Sequence, residues 1–176
     1  MKKELNSKGF LLALAVMLMS SVAWAQGSKP SPAETASGKV GAATITINYS
    51  SPSVKGRKIF GDLVPYDKVW RAGANAATIF ETDKPIMVEG KSLAAGKYSL
   101  YVSPGEKEWT IFFNSETGQW GIKRTGETTK DDAKDVLSVK VKAAKSASMN
   151  EALKYVVTPK GFTIFWDNTE VPVMIK

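Results

Sequence analysis

The sequence contains neither cysteine nor histidine. Without cysteine the fold has no disulfide to restrict its unfolded chain, and thiolate nucleophiles, thiolate metal sites and lipid attachment at a signal-peptide cysteine are excluded. Without histidine, Ser-His-Asp catalysis, imidazole-held zinc or iron, and the usual general base near neutral pH are excluded too. No metal and no cofactor are therefore expected. Helical periodicity is also scarce: past the N-terminal segment the best candidate, Ala147 to Leu153, covers barely two turns. The longest early apolar run, Phe10 to Met19, is ten residues, about half of the ~20 that a spanning helix needs, so no retained membrane anchor is expected.

That short run is preceded by Lys2, Lys3 and Lys8 and followed by Ser20, Ser21 and an Ala23-Trp24-Ala25 site. The pattern is that of a secretory signal peptide over residues 1–25, which predicts a periplasmic or secreted protein. Residues 26–42 include GSKPSPAETASG, a small, polar and proline-bearing stretch that reads as a flexible leader, leaving 43–176 as the folded domain. The formal net charge of +7 is spread over lysines such as Lys123, Lys130, Lys140, Lys142 and Lys145. Such dispersion serves solubility rather than a nucleic-acid groove, and no nucleic-acid partner is expected.

Two-residue alternation runs through the rest. ATITINYS sets Ile45, Ile47 and Tyr49 against Thr44, Thr46 and Asn48, and further strand-like segments follow at 77–82, 86–88, 96–103 and 108–114. Pro104-Gly105 makes a hairpin of the last two. Short segments at 120–124 and 136–142 come next, then 153–158, 162–167 and 171–175, which read as a closing three-stranded meander with a turn at Asn168-Thr169. Phe162, Ile164 and Trp166 share a face, which places Trp166 in the core. The class is all-β, a single-domain antiparallel β-sandwich, with a jelly roll as one form of it.

Several apparent motifs fail on their mechanics. GKSLAAGK, Gly90 to Lys97, has five residues between its glycines, Tyr98 where a phosphate loop needs a hydroxyl residue, and a strand where the phosphate needs a helix N-terminus. Asp131, Asp132 and Asp135 lack the glycine turn and terminal glutamate of a calcium loop and read as a solvated turn. Ser92 beside Lys91 cannot form a dyad, because adjacent strand residues point to opposite faces.

What remains distinctive is Gly56 to Asn75, GRKIFGDLVPYDKVWRAGAN, a loop that carries arginines, acids, aromatics and chain breakers between two strands. Followed in order by AAGKYSLY, EWTIFFN and QWG, it resembles a bacterial family, domain of unknown function family 2911, from about Ala43 to the C-terminus. The GR-x-IFG and WR-x-GAN elements, on Gly56, Arg57, Phe60, Gly61, Trp70, Arg71, Gly73 and Asn75, are specific to that resemblance. What it implies is an exported bacterial β domain; no activity and no catalytic residues come with it.

Two readings of the loop stand side by side. As a brace, Arg57 or Arg71 pairs with Asp62, Asp67 or backbone oxygens while Phe60 and Trp70 plug one end of the core. As a site, Arg57 and Arg71 grip an anionic or sugar-like small molecule or envelope component, Asn75 fixes its orientation, and Trp70 or Trp120 walls it. The expectation is a non-catalytic binding or interaction module. Its alternative is a carboxylate-dependent hydrolase using Asp62 and Asp67.

Overall fold

A computed structural model describes residues 31–176; the expected signal peptide, residues 1–25, and residues 26–30 of the expected leader lie outside the described residues. Six strands form one sheet in the order β1 (Ala33–Val40), β2 (Ala43–Ser50), β3 (Thr78–Thr82), β6 (Gly96–Ser103), β7 (Glu108–Asn114) and β8 (Asp135–Lys142). Every neighbouring pair is antiparallel. The expected hairpin is β6–β7, with Val102 opposite Ile111. Two further hairpins are β4 (Ile86–Val88) with β5 (Lys91–Leu93), and β9 (Ala144–Thr158) with β10 (Gly161–Met174).

Alternation decides which face is buried. In β2, Ala43, Ile45 and Ile47 point into the core; in β8, Leu137, Val139 and Val141 do so while Ser138, Lys140 and Lys142 are exposed. These residues, with Phe80, Leu100, Val102, Trp109 and Phe113, share one hydrophobic cluster with Leu153 and Tyr155 of β9 and Phe162, Ile164 and Trp166 of β10. Trp166 is therefore a core residue, as its strand position requires. The strand pairing establishes a single all-β domain of mainly antiparallel sheet, a coarser description than a sandwich or jelly roll.

Three sequence expectations need correction. Residues 33–40, assigned to the flexible leader, form β1, which pairs with β2 along its whole length from Ala33↔Ser50 to Val40↔Ala43. Its backbone ladder, Val40 buried at its end and Thr35 and Ser37 bonded to β2 supply the order that its composition does not advertise. Residues 120–124 form no strand, only a bridge between Ile122 and Thr128 in an irregular cover over the outer face of β6 and β7. Finally, 162–167 and 171–174 are not separated by a turn but belong to β10, which bulges at Asp167, a residue at φ 53°, while Ile175 forms a bridge to Val88. The strand still doubles back, since the Ile175 amide donates to the Lys160 carbonyl at 2.9 Å. A straight run of that many residues would hold its ends roughly 45 Å apart.

The outer face is covered by residues 115–134. Ser99 donates to the Gln119 side-chain carbonyl at 3.2 Å, and Tyr101 is fully buried there, outside the main core cluster. The cover is pinned by Lys130, whose ammonium reaches Asp132 and Asp135, each at 2.6 Å, and lies 4.4 Å from the centre of the Phe112 ring. Its side chain is 2% exposed, so Lys130 is a structural ion, not the surface charge that the sequence suggests. Burial works against its charge, but the hydrogen bonds to Asp132 and Asp135 outweigh that and raise its pKa.

The Tyr155 hydroxyl donates to the Ala72 carbonyl at 2.6 Å in full burial. Desolvation raises its pKa far above the ordinary tyrosine range, and burial also raises those of Tyr49 and Tyr101. Below about pH 10 these phenols are protonated in both folded and unfolded chains, so their contribution is complete and constant. As pH rises further, only the unfolded chain releases those protons, and stability falls by about 1.4 kcal/mol per pH unit for Tyr155 alone. Thermal midpoints measured from pH 8 to 11.5 should thus be flat and then drop; a midpoint level up to pH 11.5 would contradict the burial of Tyr155.

Candidate functional site

The Gly56–Asn75 loop leaves β2 and is tied at once to β9. The Val54 amide donates to the Glu151 carbonyl at 2.7 Å, and Ser51 Oγ donates to the Leu153 carbonyl at 2.6 Å. Its return arm lies on β6: Trp70 and Val102 exchange two backbone hydrogen bonds, of 2.7 and 2.9 Å. Because β3 begins with Thr78 opposite Leu100, Trp70 takes the next place along the β6 edge.

Aromatic packing fixes the loop between these ties. The Phe60 ring meets Trp109 and Trp166 edge-on at 4.9 and 5.9 Å, and Trp70 stacks on Trp166 at 5.5 Å with 21° between planes. The Trp70 indole N–H donates to the Gly73 carbonyl at 2.9 Å. Gly61 is required here: it has φ 83°, and a Cβ on it would stand 2.7 Å from the Tyr66 ring.

The backbone around Arg71 is held in left-handed geometry at residues other than glycine: Asp67 at φ 57°, Ala72 at 55° and Asn75 at 58°. For a fully buried alanine this conformation is costly, and it persists only where surroundings over-determine it. The Ala72 carbonyl supplies that constraint, accepting from Tyr155 at 2.6 Å and from Thr78 Oγ1 at 3.0 Å.

Two clefts flank this structure. The first, of about 400 Å³, has Val64, Trp70, Ile122 and Trp166 as apolar lining and Lys55, Arg57 and Arg71 as cations. Among the described residues no carboxylate lines it. The second, of about 720 Å³, runs along Pro65 to Arg71 and Gly121 to Thr128, with Asp67, Lys68, Arg71 and Glu127 as its charges. Leu63, Trp70, Arg71 and Ile122 line both. Both volumes fall in the range of about 300–1,000 Å³ usual for small-molecule sites.

Of the residues that the sequence nominates, Arg57, Trp70 and Arg71 meet in the first cleft. Arg57 behaves partly as a brace, donating from Nε to the Val54 carbonyl at 3.0 Å and from a terminal nitrogen to the Ser53 carbonyl at 2.5 Å. Arg71 is half-buried and makes only a long bond of 3.4 Å to the Trp120 carbonyl, with its guanidinium 5.8 Å from the Trp120 ring centre. Desolvation lowers its pKa from the usual arginine value. Trp120, 58% exposed, thus touches Arg71 without lining either cleft, and Asn75 points away to the Ser31 carbonyl at 3.3 Å. Neither arginine pairs with Asp62 or Asp67, and among the described residues Lys55, Arg57 and Arg71 are in no ion pair.

Sequence reasoning passed over Leu63, Ile122 and Lys55, which become neighbours only when the cover meets the loop. It also left Gly121 without a physical role. That glycine, at φ 86°, leaves room for Arg71, whose Cβ would lie 2.7 Å from an added methyl group. Among the described residues no cluster of acids is arranged to hold a metal ion.

Fold and clefts together define an all-β, mainly antiparallel domain that carries a paired surface cleft beside one braced loop. The chain belongs to the family described as protein of unknown function (DUF2911), whose model matches residues 31–175. The match starts at residue 31 and so includes β1, in keeping with that strand's full pairing to β2. Comparison with curated proteins and with solved structures gives no match.

Proposed function

We propose that this domain is a non-catalytic binding module that holds a small ligand by an anionic group between Arg57 and Arg71, with the body of the ligand against Trp70, Val64 and Ile122. The observation that carries the reading is the first cleft itself: three cations over an apolar lining, with, among the described residues, no carboxylate in the lining and no ion pair consuming their charge. Arginine forks suit carboxylate or phosphate, and an indole wall suits a ring or aliphatic body. A carboxylated or phosphorylated sugar of the cell envelope is one such ligand. The hydrolase alternative built on Asp62 and Asp67 is less well supported, because Asp67 lines only the second cleft and Asp62 neither, so that pair faces no common substrate position.

The test compares the parent with Arg71→Ala in a thermal-shift and calorimetric screen of small carboxylates and phosphates beside their neutral analogues. Arg71 has no acid to leave stranded, so its removal should cost less than about 1 kcal/mol of stability. Binding of the anionic compounds should fall by roughly 10- to 100-fold, the worth of a charge-assisted pair. Equal affinity in the two proteins, or preference for the neutral analogues, sinks the proposal.

A further inference from the structure

We infer that the occupant is an elongated zwitterion, a short peptide with both ends free, lying over Leu63, Trp70, Arg71 and Ile122 with its carboxylate in the first cleft and its ammonium in the second. This rests on the anion-binding reading above and adds the direction and length of the ligand to it. Four residues line both clefts, so the two are sides of one saddle rather than separate sites. The saddle is apolar at Leu63, which is 44% exposed, and at Ile122. It offers a middle side chain a surface to cover, and such exposure costs solvation with no packing in return.

The charges on its two sides differ. Lys55 and Arg57 stand on one side and Arg71 on the shared ridge, while the other side adds both acids of the pair of clefts, Asp67 and Glu127, along with Lys68. Glu127 is shared with Lys123 at 3.4 Å, so Asp67 is the freer acid; its carboxylate has no ion-pair partner among the described residues. The Asp67 backbone is also positioned: its amide donates to the Pro104 carbonyl at 2.8 Å, and the residue sits in left-handed geometry at φ 57°. A simple sugar acid would satisfy only the cationic side. A peptide satisfies both and supplies the apolar centre.

The experiment titrates the tripeptide Ala-Leu-Ala, its C-terminal amide and its N-acetyl form into the parent and into Asp67→Asn, by calorimetry. Asparagine tolerates the same left-handed backbone, so the variant should fold. Amidation should weaken binding at least tenfold, whereas acetylation should weaken it about threefold, as befits a solvent-exposed pair. In Asp67→Asn the free and acetylated peptides should bind alike. If the acetyl form matches the free peptide in the parent, or if small carboxylates bind and no peptide does, the zwitterion inference is overturned while the anion site survives. If the amide binds as well as the free peptide, both fall.

Discussion

Replacing Gly161 with alanine should lower the thermal midpoint of the domain by about 10 °C or more. Gly161 opens β10 at φ 135°, and a Cβ there would lie 2.0 Å from the Val173 carbonyl oxygen and 2.8 Å from the Ile175 amide nitrogen. Both obstacles are backbone, held by the Ile175 to Lys160 hydrogen bond, so neither can swing aside as a side chain could. Two penalties therefore coincide, a forbidden dihedral and a contact that only chain displacement relieves; together they amount to on the order of 4 kcal/mol. For a domain of this size each kcal/mol is worth about 2–4 °C. A differential scan of Gly161→Ala against Gly41→Ala provides the control. Gly41 also has a positive φ, 57°, but nothing within 4 Å of an added Cβ, and it should cost about 1 kcal/mol. Equal losses in the two variants would refute the close approach of the two ends of β10.

Trp166→Ala is expected to cost about 3–5 kcal/mol, the usual range for removing a large aromatic side chain from a packed core. The reason it matters here is position: Trp166 is 2% exposed, lies under Trp70 and against Phe60, and also lines the first cleft. Removing it takes away the surface that orients the Trp70 indole, so ligand affinity should fall even under conditions where the variant remains folded. Trp166→Phe keeps an aromatic surface and should lose less of both. Urea unfolding, with ligand titrations run well below the midpoint, separates the two effects. A Trp166→Ala protein that is destabilised but binds like the parent would show that Trp70 is placed by its bonds to Val102 and Gly73 alone.

Alternation made β2, β7 and β8 legible, because each buries one row of side chains more deeply than the other; β6 alternates in sequence as well, although the cover buries both of its rows. β1 was illegible for the same reason in reverse: Ala33–Val40 buries only its last residue, and its order comes from main-chain pairing, which leaves no mark on composition. β10 was read as two strands because Asn168-Thr169 has turn chemistry; the chain bends instead through a bulge at Asp167, where β9 follows it. At the site, Arg57, Trp70 and Arg71 stood out as charged and aromatic residues among chain breakers. Ile122 and Leu63 did not, since an apolar residue becomes part of a cleft only by meeting a distant segment. Lys130 was misread because a lysine followed by aspartates has the composition of a wet turn, whereas here Phe112 and the two carboxylates enclose it.

The doubling back of β10 has a consequence for the order of events in folding. Val88 bridges Ile175, the Met87 and Lys176 backbones exchange hydrogen bonds of 2.8 and 2.9 Å, and Ile175 reaches Lys160. The small β4–β5 hairpin, formed early in the chain, therefore finds its partner only once residues 171–176 are free to reach it. Contacts of such large sequence separation are entropically late and slow to form. The local hairpins β1–β2 and β6–β7 can assemble first, while one wall of their apolar face stays open until the last strand arrives. A chain built this way closes only once residues 171–176 are available, and until then it presents an unpaired, sticky edge of the kind that chaperones bind.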